Sequence, residues 1–225
     1  MRKERPIIMS PPMAHATHYG FKTETRRTKG LERINENPEV YELAGNIKHA
    51  DCRVFYLSHK ETRDEVLVRC PYGEVGDILW VRENVLVPPI VTGRMLRDGA
   101  DTWPKYDYPA DLTANEIEDY KEMGWKMKPS IHMVREACRT ELKLTSIKLQ
   151  RLNDIADKSA IAEGVEKGKC ATGEMFYKSY DVKLFCFESP VTSFKTLWES
   201  INGSGSWAAN PWVWALKFER IEIPQ

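Results

Sequence analysis

The stretch of the chain best equipped for chemistry is GFKTETRR, residues 20–27. It combines Lys22, Thr25 and Arg27, a set that could supply a base, a nucleophile and a stabiliser of negative charge. A desolvated lysine gives up its proton more easily, and a neighbouring base activates a threonine hydroxyl. Arginine stays protonated and can hold an oxyanion or a phosphate. The same residue types also form plain ion pairs and strand side chains, so a catalytic and a structural interpretation both stay open.

Local signals predict how this stretch is held. Ser10 followed by Pro11 is typical of a helix N-terminus, and Gly20 is typical of the residue just past a helix C-terminus. A strand after Gly20 would alternate its side chains between two faces. The two predicted faces are Lys22, Glu24, Arg26 and Thr23, Thr25, Arg27.

A second polar group follows the apolar run ILWV at residues 78–81. Arg82 and Glu83 stand where the chain leaves a predicted core strand, and we expect them at the rim of a pocket. Trp80 could stack on an unpaired base, and Arg82 could contact a phosphate or a base edge. Surface ion pairing of the two charges and burial of the tryptophan are the alternatives.

Short strands predominate along the chain, with a few small helices between them. Residues 53–57 and 65–69 flank a turn-rich segment and predict a hairpin. Residues 140–150 alternate like a strand, and 152–165 and 190–202 are typical of helices. The chain ends in a predicted strand on which two tryptophans, 212 and 214, share a face that we expect to be core. The pattern predicts the α+β class, with a small, barrel-like sheet.

Two regions are predicted to be irregular. Residues 30–51 are polar and loop-like, and 88–129 are interpreted as an insertion without a second core, carrying one helix capped at Thr113. In the helix predicted at 152–165, Asp154 or Asp157 is expected as the cap and Gly164 as the end.

The bulk composition limits the classes of function. The chain has 225 residues with 33 basic and 33 acidic side chains, which suits a single domain over residues 1–225 with insertions. Zero net charge removes the general electrostatic argument for nucleic-acid binding, so any such role has to be local. No apolar run is long enough to span a bilayer, and the start lacks a signal-peptide pattern. We expect a cytoplasmic protein without a membrane partner.

The sequence indicates no metal or cofactor. Its five cysteines are scattered without a C-x-x-C pair, so neither a disulfide framework nor a zinc site is predicted. His15 and His18 have no acidic or cysteine ligand near them in sequence and are interpreted as structural. The oligomeric state is not predicted.

Four motifs occur in order: GFKTETRR, GDILWVRE, LNDIADKSAIAEGV and NPWVWALKFERI. With them the chain resembles the ASCH family over most of its length, and Gly20, Lys22, Thr25 and Arg27 match the family signature G-x-K-x-x-T-x-R. The tryptophan-rich end resembles a bacteriophage or prophage branch. The resemblance implies a small PUA-like β-barrel with short flanking helices and large loop insertions. The insertions would lie at about residues 30–70, 85–130 and 166–188.

The resemblance also implies functional residues. The family is linked with RNA binding, and some small bacterial members are amidohydrolases that remove the acyl group from N4-acetylcytidine. Their functional lysine, threonine and glutamate fall on Lys22, Thr25 and Glu163 of this chain, with Asp157 and Glu166 as alternatives for the glutamate.

Three functions are therefore predicted. The first is binding of a nucleotide, a nucleoside or single-stranded nucleic acid, RNA above all, in a pocket with Lys22, Thr25, Arg27, Arg82 and Glu163. The second is an amidohydrolase acting on N4-acetylcytidine or a related base, which requires Lys22, Thr25 and Glu163 to converge in an open cleft. The third is a phage protein that modulates host proteins through its inserts, which requires an apolar patch on the 85–130 insert.

Overall fold

The computed structural model describes residues 3–49, 52–90, 103–169, 175–181 and 186–222. The strands are β1 Glu4–Ile8, β2 Glu24–Arg27, β3 Tyr41–His49, β4 Cys52–His59, β5 Glu65–Arg69, β6 Ile78–Arg82, β7 Val85–Val87, β8 Lys126–Lys128, β9 Glu141–Arg151, β10 Lys167–Lys169, β11 Met175–Lys178, β12 Cys186–Phe187 and β13 Trp212–Ile221. The helices are α1 Pro11–His18, α2 Glu32–Asn35, α3 Ala114–Glu122, α4 Asp157–Ala162 and α5 Pro190–Asn202.

The core is built on a five-stranded sheet in the order β1-β6-β9-β13-β2. Its β1–β6 pair is parallel and its other pairs are antiparallel. The longest ladder joins β9 to β13, where Trp214 and Leu216 pair with Leu149 and Ile147. These four side chains are buried in the main apolar cluster, which confirms that Trp214 is a core residue, as is Trp212. The α+β class predicted from the sequence is confirmed.

The central sheet is open. No strand ladder joins its edge strands β1 and β2 in the part of the chain that the structure describes, so the closed barrel is not found. The two edges nevertheless approach each other, because Arg27 Nη2 donates a hydrogen bond of 2.7 Å to the carbonyl of Ile8 at the end of β1. A side chain thus bridges the gap between the two edges.

The loop predicted for residues 30–51 is wrong, because this stretch carries α2 and the nine-residue strand β3. β3 pairs with β4, which pairs with β5, so the predicted hairpin is confirmed as part of a three-stranded sheet. β3 exposes both Leu43 and Ile47 and shifts register between Leu43 and Gly45, so it has no clean alternation of apolar and polar residues. Its hydrogen bonds to β4, whose Phe55 and Leu57 are buried, hold it in place.

The insert before β9 has a small apolar cluster of its own, which the sequence did not predict. Val85, Met133 and Ala137 are buried together, with Tyr108 packed against them. The predicted helix is confirmed as α3, and Thr113 caps it in a full capping box with Glu116. Residues 91–102 lie outside the described part of the chain.

The helix predicted over residues 152–165 is shorter in the structure. A 3-10 turn at Leu152–Asp154 precedes the six residues of α4, and Ala156 is the N-cap, so the predicted aspartate caps are wrong. Ile155 is buried in an extended conformation, which separates the two helical pieces. Gly164, at φ +86°, ends the element as predicted. The insertion at 166–188 contains the small sheet β10-β11-β12. Among the described helices, none is long and apolar enough to cross a bilayer.

Two leucines test whether the β3-β4-β5 sheet shares the main core. Leu57 is fully buried in that core, whereas Leu67 on the neighbouring strand is 58% exposed. We expect Leu57→Ala to lower the free energy of unfolding by about 2–5 kcal/mol, because it leaves a cavity. The same change at Leu67 should cost no more than about 0.5 kcal/mol. Urea unfolding measures both, and equal losses would show that the sheet is peripheral.

Candidate functional site

The turn after α1 delivers Lys22 to the end of α4. Gly20 has φ +78°, and the amides of Phe21 and Lys22 donate to the carbonyl of Ala16 at 2.8 and 3.0 Å. The amide of Thr23 then donates to the carbonyl of Ala162 at 2.8 Å. The start of the GFKTETRR stretch is therefore fastened to both helices before it enters β2.

Lys22 and Glu163 form a buried ion pair. Lys22 Nζ donates to Glu163 Oε2 at 2.6 Å and to the backbone carbonyl of Glu163 at 2.7 Å. Their side chains are only 2% and 4% exposed. Gly164 beside them leaves no spare room, since a Cβ there would lie 3.0 Å from the Cβ of Lys22. Contacts this close fix the ammonium group in one position.

Arg26 holds the other carboxylate oxygen. Its Nη1 donates to Glu163 Oε1 at 3.0 Å and lies 3.6 Å from Glu24 Oε2, while Lys217 on β13 contacts Glu24 at 2.6 Å. Lys22, Glu24 and Arg26 thus share one face of the strand, as the alternation predicted. We call Lys22, Arg26 and Glu163 the charged cluster.

Burial perturbs the lysine. Desolvation lowers the pKa of Lys22 from its ordinary range; the Glu163 carboxylate opposes this shift, and the charges of Arg27 and Arg26 add to it. A lysine in this environment releases its proton at a lower pH than an exposed lysine does. That is the condition under which an amine can serve as a base near neutral pH.

A cavity of about 480 Å³ opens beside β2 and has the charged cluster in its lining. Thr25, Arg27 and Lys29 line it along the strand, and Phe194 and Trp198 of α5 line it from the helix. Four of its lining residues are basic and one, Glu163, is acidic. Its volume is in the range of small-molecule sites in proteins.

The cavity lining contains unused hydrogen-bond donors. The buried atoms Arg26 Nε, Arg27 Nε and Trp198 Nε1 have no hydrogen-bond partner within the described residues. A buried donor without a partner costs about 1–3 kcal/mol. The three atoms belong to residues of the cavity lining but are themselves shielded from solvent, so they do not identify a ligand.

Four of the site residues predicted from sequence line this cavity together: Lys22, Thr25, Arg27 and Glu163. The two alternatives to Glu163 lie elsewhere: Asp157 is exposed at the start of α4, and Glu166 pairs with Lys178 at 2.6 Å. Glu163 is thus the acidic residue of the three that reaches Lys22.

Trp80, Arg82 and Glu83 do not line this cavity. Arg82 donates to the carbonyl of Ile131, and its guanidinium lies 5.5 Å from the ring centroid of Trp80. Glu83 is buried and accepts two hydrogen bonds of 2.9 Å from Arg139. The prediction that these residues lie at the pocket rim is therefore wrong for this cavity. Glu83 instead forms a buried ion pair with Arg139.

Several residues of the site were missed from sequence. Asn84, one position after the predicted group, lines the cavity and accepts a 3.0 Å bond from the amide of Ser130. Phe194 and Trp198 are four residues apart on α5, a spacing that puts them on one helix face and could have indicated a shared wall. For Arg26 the sequence predicted only a strand face shared with Lys22 and Glu24.

A larger cavity of about 890 Å³ lies between α1, residues 109–112 and residues 161–167. Its charged lining residues are Glu166 and Lys167, and the charged cluster does not reach it. We regard the smaller cavity as the candidate site because the buried charged cluster lines it. Within the described residues, no group of three or more histidine, cysteine or acidic side chains is placed to hold a metal.

Models of protein families, curated proteins and solved structures were compared with the chain, and none matches it. The insert is not uniformly polar, since it exposes Ile90, Met123 and Met127, so the interaction hypothesis keeps its motivation.

Two glutamates test the charged cluster. Removing the carboxylate of Glu163 leaves Lys22 buried without a counter-charge and Arg26 with only the more distant Glu24, so we expect Glu163→Ala to lower the free energy of unfolding by about 3–5 kcal/mol. Glu166→Ala is the matched control, because that side chain is 56% exposed and its pair contributes about 0–1 kcal/mol. In a Lys22→Met background, Glu163→Ala should cost measurably less. An unchanged cost in that background would contradict the coupling.

Proposed function

We propose that the cavity beside β2 binds a nucleoside, a nucleotide or a nucleotide unit of single-stranded RNA. The observation that carries the proposal is the charged cluster in a cavity of ligand size with aromatic side chains in its wall. A carboxylate held between an ammonium and a guanidinium offers acceptor and donor groups a few ångströms apart, as the hydrogen-bonding edge of a base requires.

The resemblance to the ASCH family supports the same proposal. The signature residues Lys22, Thr25 and Arg27 all reach the cavity, and Glu163 meets Lys22 there. Membership of this family, in its bacteriophage or prophage branch, and a PUA-like β-barrel are part of the proposal. The bridge from Arg27 to Ile8 supports the barrel, because it brings the two sheet edges together.

The wall contributed by α5 suits a planar ligand. Phe194 and Trp198 are both largely buried yet line the cavity. Stacking of a base on an aromatic ring contributes about 1–3 kcal/mol. With zero net charge, the chain has to recognise its ligand through this local site, which favours one nucleotide unit over a long polyanion.

Amidohydrolysis of an N4-acylated cytidine is the second candidate, favoured by the 2.6 Å contact between Lys22 and Glu163 in the cavity that Thr25 also lines. Neutral Lys22 would take the proton of the Thr25 hydroxyl as its oxygen bonds to the acyl carbon. The C–N4 bond then breaks, N4 takes that proton from Lys22, and cytidine leaves. Water hydrolyses the acyl-threonine ester to release the carboxylic acid. Glu163 would orient the lysine, and Arg27 would stabilise the oxyanion.

N4-acetylcytidine tests both candidates. We expect the protein to bind it and, under the second candidate, to release acetate. Thr25→Ser keeps the hydroxyl and should retain hydrolysis, whereas the near-isosteric Thr25→Val should lose on the order of 100-fold or more while still binding. Binding is followed by calorimetry and acetate by chromatography. Binding without acetate release would leave the binder alone, and no binding of any nucleoside or nucleotide would refute both.

The pH dependence separates a lysine base from a purely structural lysine. Protonated Lys22 cannot accept the threonine proton, so hydrolysis should rise with pH as Lys22 deprotonates. Because burial lowers the pKa of Lys22, this rise should be centred below the range of an exposed lysine. Lys22→Arg stays protonated and should abolish activity over the whole range. A rate independent of pH between about 6 and 10 would contradict the mechanism.

A further inference from the structure

We propose that the cavity contains a phosphate subsite formed by Arg27 and Lys29, so that the ligand is a phosphorylated nucleotide unit and not a free nucleoside. This inference rests on the proposed function and specifies its ligand. The shared chemistry is a phosphate attached to the nucleoside, either the monoester of a free nucleotide or a diester within a single strand.

Positive charge is in excess in the cavity lining. Glu163 is its one acidic residue, and Lys22 at 2.6 Å and Arg26 at 3.0 Å already neutralise it. Arg27 and Lys29 form no ion pair within 4.0 Å in the described chain. The cavity therefore keeps an excess of two positive charges at the Arg27 end, which attracts an anion.

Contacts with the end of β1 hold the Arg27 guanidinium in place. Its Nη2 is fixed by the 2.7 Å bond to the carbonyl of Ile8 and lies 3.3 Å from Met9 Sδ, whereas its Nε is buried and donates to no described group. Arg26 Nε, in a side chain that is 98% buried, is likewise unpartnered. The bond to β1 thus holds the Arg27 guanidinium in place, so the cavity is lined by a fixed positive charge and not by a flexible basic side chain.

The cations of the cavity lining are spread along β2 and the residues next to it. Arg26 of the charged cluster and Arg27 are neighbours in β2, so their side chains leave the strand on opposite faces, and the charged cluster and the excess charge occupy different parts of the cavity lining. Lys29 is exposed at the outer end, and its backbone carbonyl is held by Trp214 Nε1 at 3.1 Å. A base edge at the Lys22 end and a phosphate at the Arg27 end occupy these two regions together.

The experiment measures dissociation constants by calorimetry for the four nucleosides, their 5′-monophosphates and a short single-stranded RNA. We expect at least one monophosphate or the RNA to bind about ten-fold or more tightly than the matching nucleoside, which corresponds to about 1.4 kcal/mol. Tighter binding of the monophosphate assigns the monoester, and tighter binding of the RNA alone assigns the diester.

Variants identify the subsite. Lys29→Gln should remove the preference for phosphate while leaving nucleoside affinity unchanged. Arg27→Gln should weaken the binding of phosphorylated forms more than the binding of nucleosides, and Arg33→Gln, an exposed basic change outside the cavity, should preserve the preference. Because Arg27 also contacts β1, thermal unfolding is measured for each variant, and the exposed Lys29 gives a test free of folding effects. Equal affinity for nucleosides and phosphorylated forms would overturn the subsite but leave the proposed function. Failure of all these compounds to bind would overturn both.

Discussion

The carboxylate of Glu163 is buried, and a buried carboxylate has to be neutralised by partners inside the protein. Lys22, just before β2, and Arg26, within it, neutralise the carboxylate, and each donates to one of its two oxygens. Desolvating three charges is costly, so the cluster does not by itself stabilise the fold. It does fix geometry, because a shift of β2 against α4 would leave an uncompensated charge. Through Glu24 and Lys217 the same network extends to β13, and so couples the central sheet to the end of α4.

The position of β2 at the edge of the sheet explains why a cavity lies next to this network. β13 pairs with one side of β2, and along its other side the chain faces the cavity and α5. If β2 lay in the interior of the sheet, a further strand would fill this space. The open edge therefore leaves room for a ligand, and α5 forms the apolar wall. β2 and the residues beside it contribute both the ion pairs with Glu163 and the unpaired cations Arg27 and Lys29.

Signals between near neighbours in sequence predicted their parts of the structure well. The turn at Gly20, the alternation along β2, the cap at Thr113 and the end at Gly164 each depend on a few adjacent residues. Contacts between distant residues behaved differently. Lys22 and Glu163 are 141 positions apart, and only the family resemblance suggested that they meet. No residue near Glu83 in sequence indicated that its carboxylate would bind Arg139. The sequence did not predict β3, because pairing with β4 holds this strand in place and burial of its own side chains does not set an alternating pattern.

Arg27 serves two structural purposes at once, since it spans the gap from β2 to the carbonyl of Ile8 and also lines the cavity. The two demands restrict how this position can evolve. A substitution that suits a new ligand would also alter the spacing of β1 and β2, whereas the exposed Lys29 has no such contact. We expect ligand preference to diversify among relatives at position 29, with Arg27 retained as the part common to all of them.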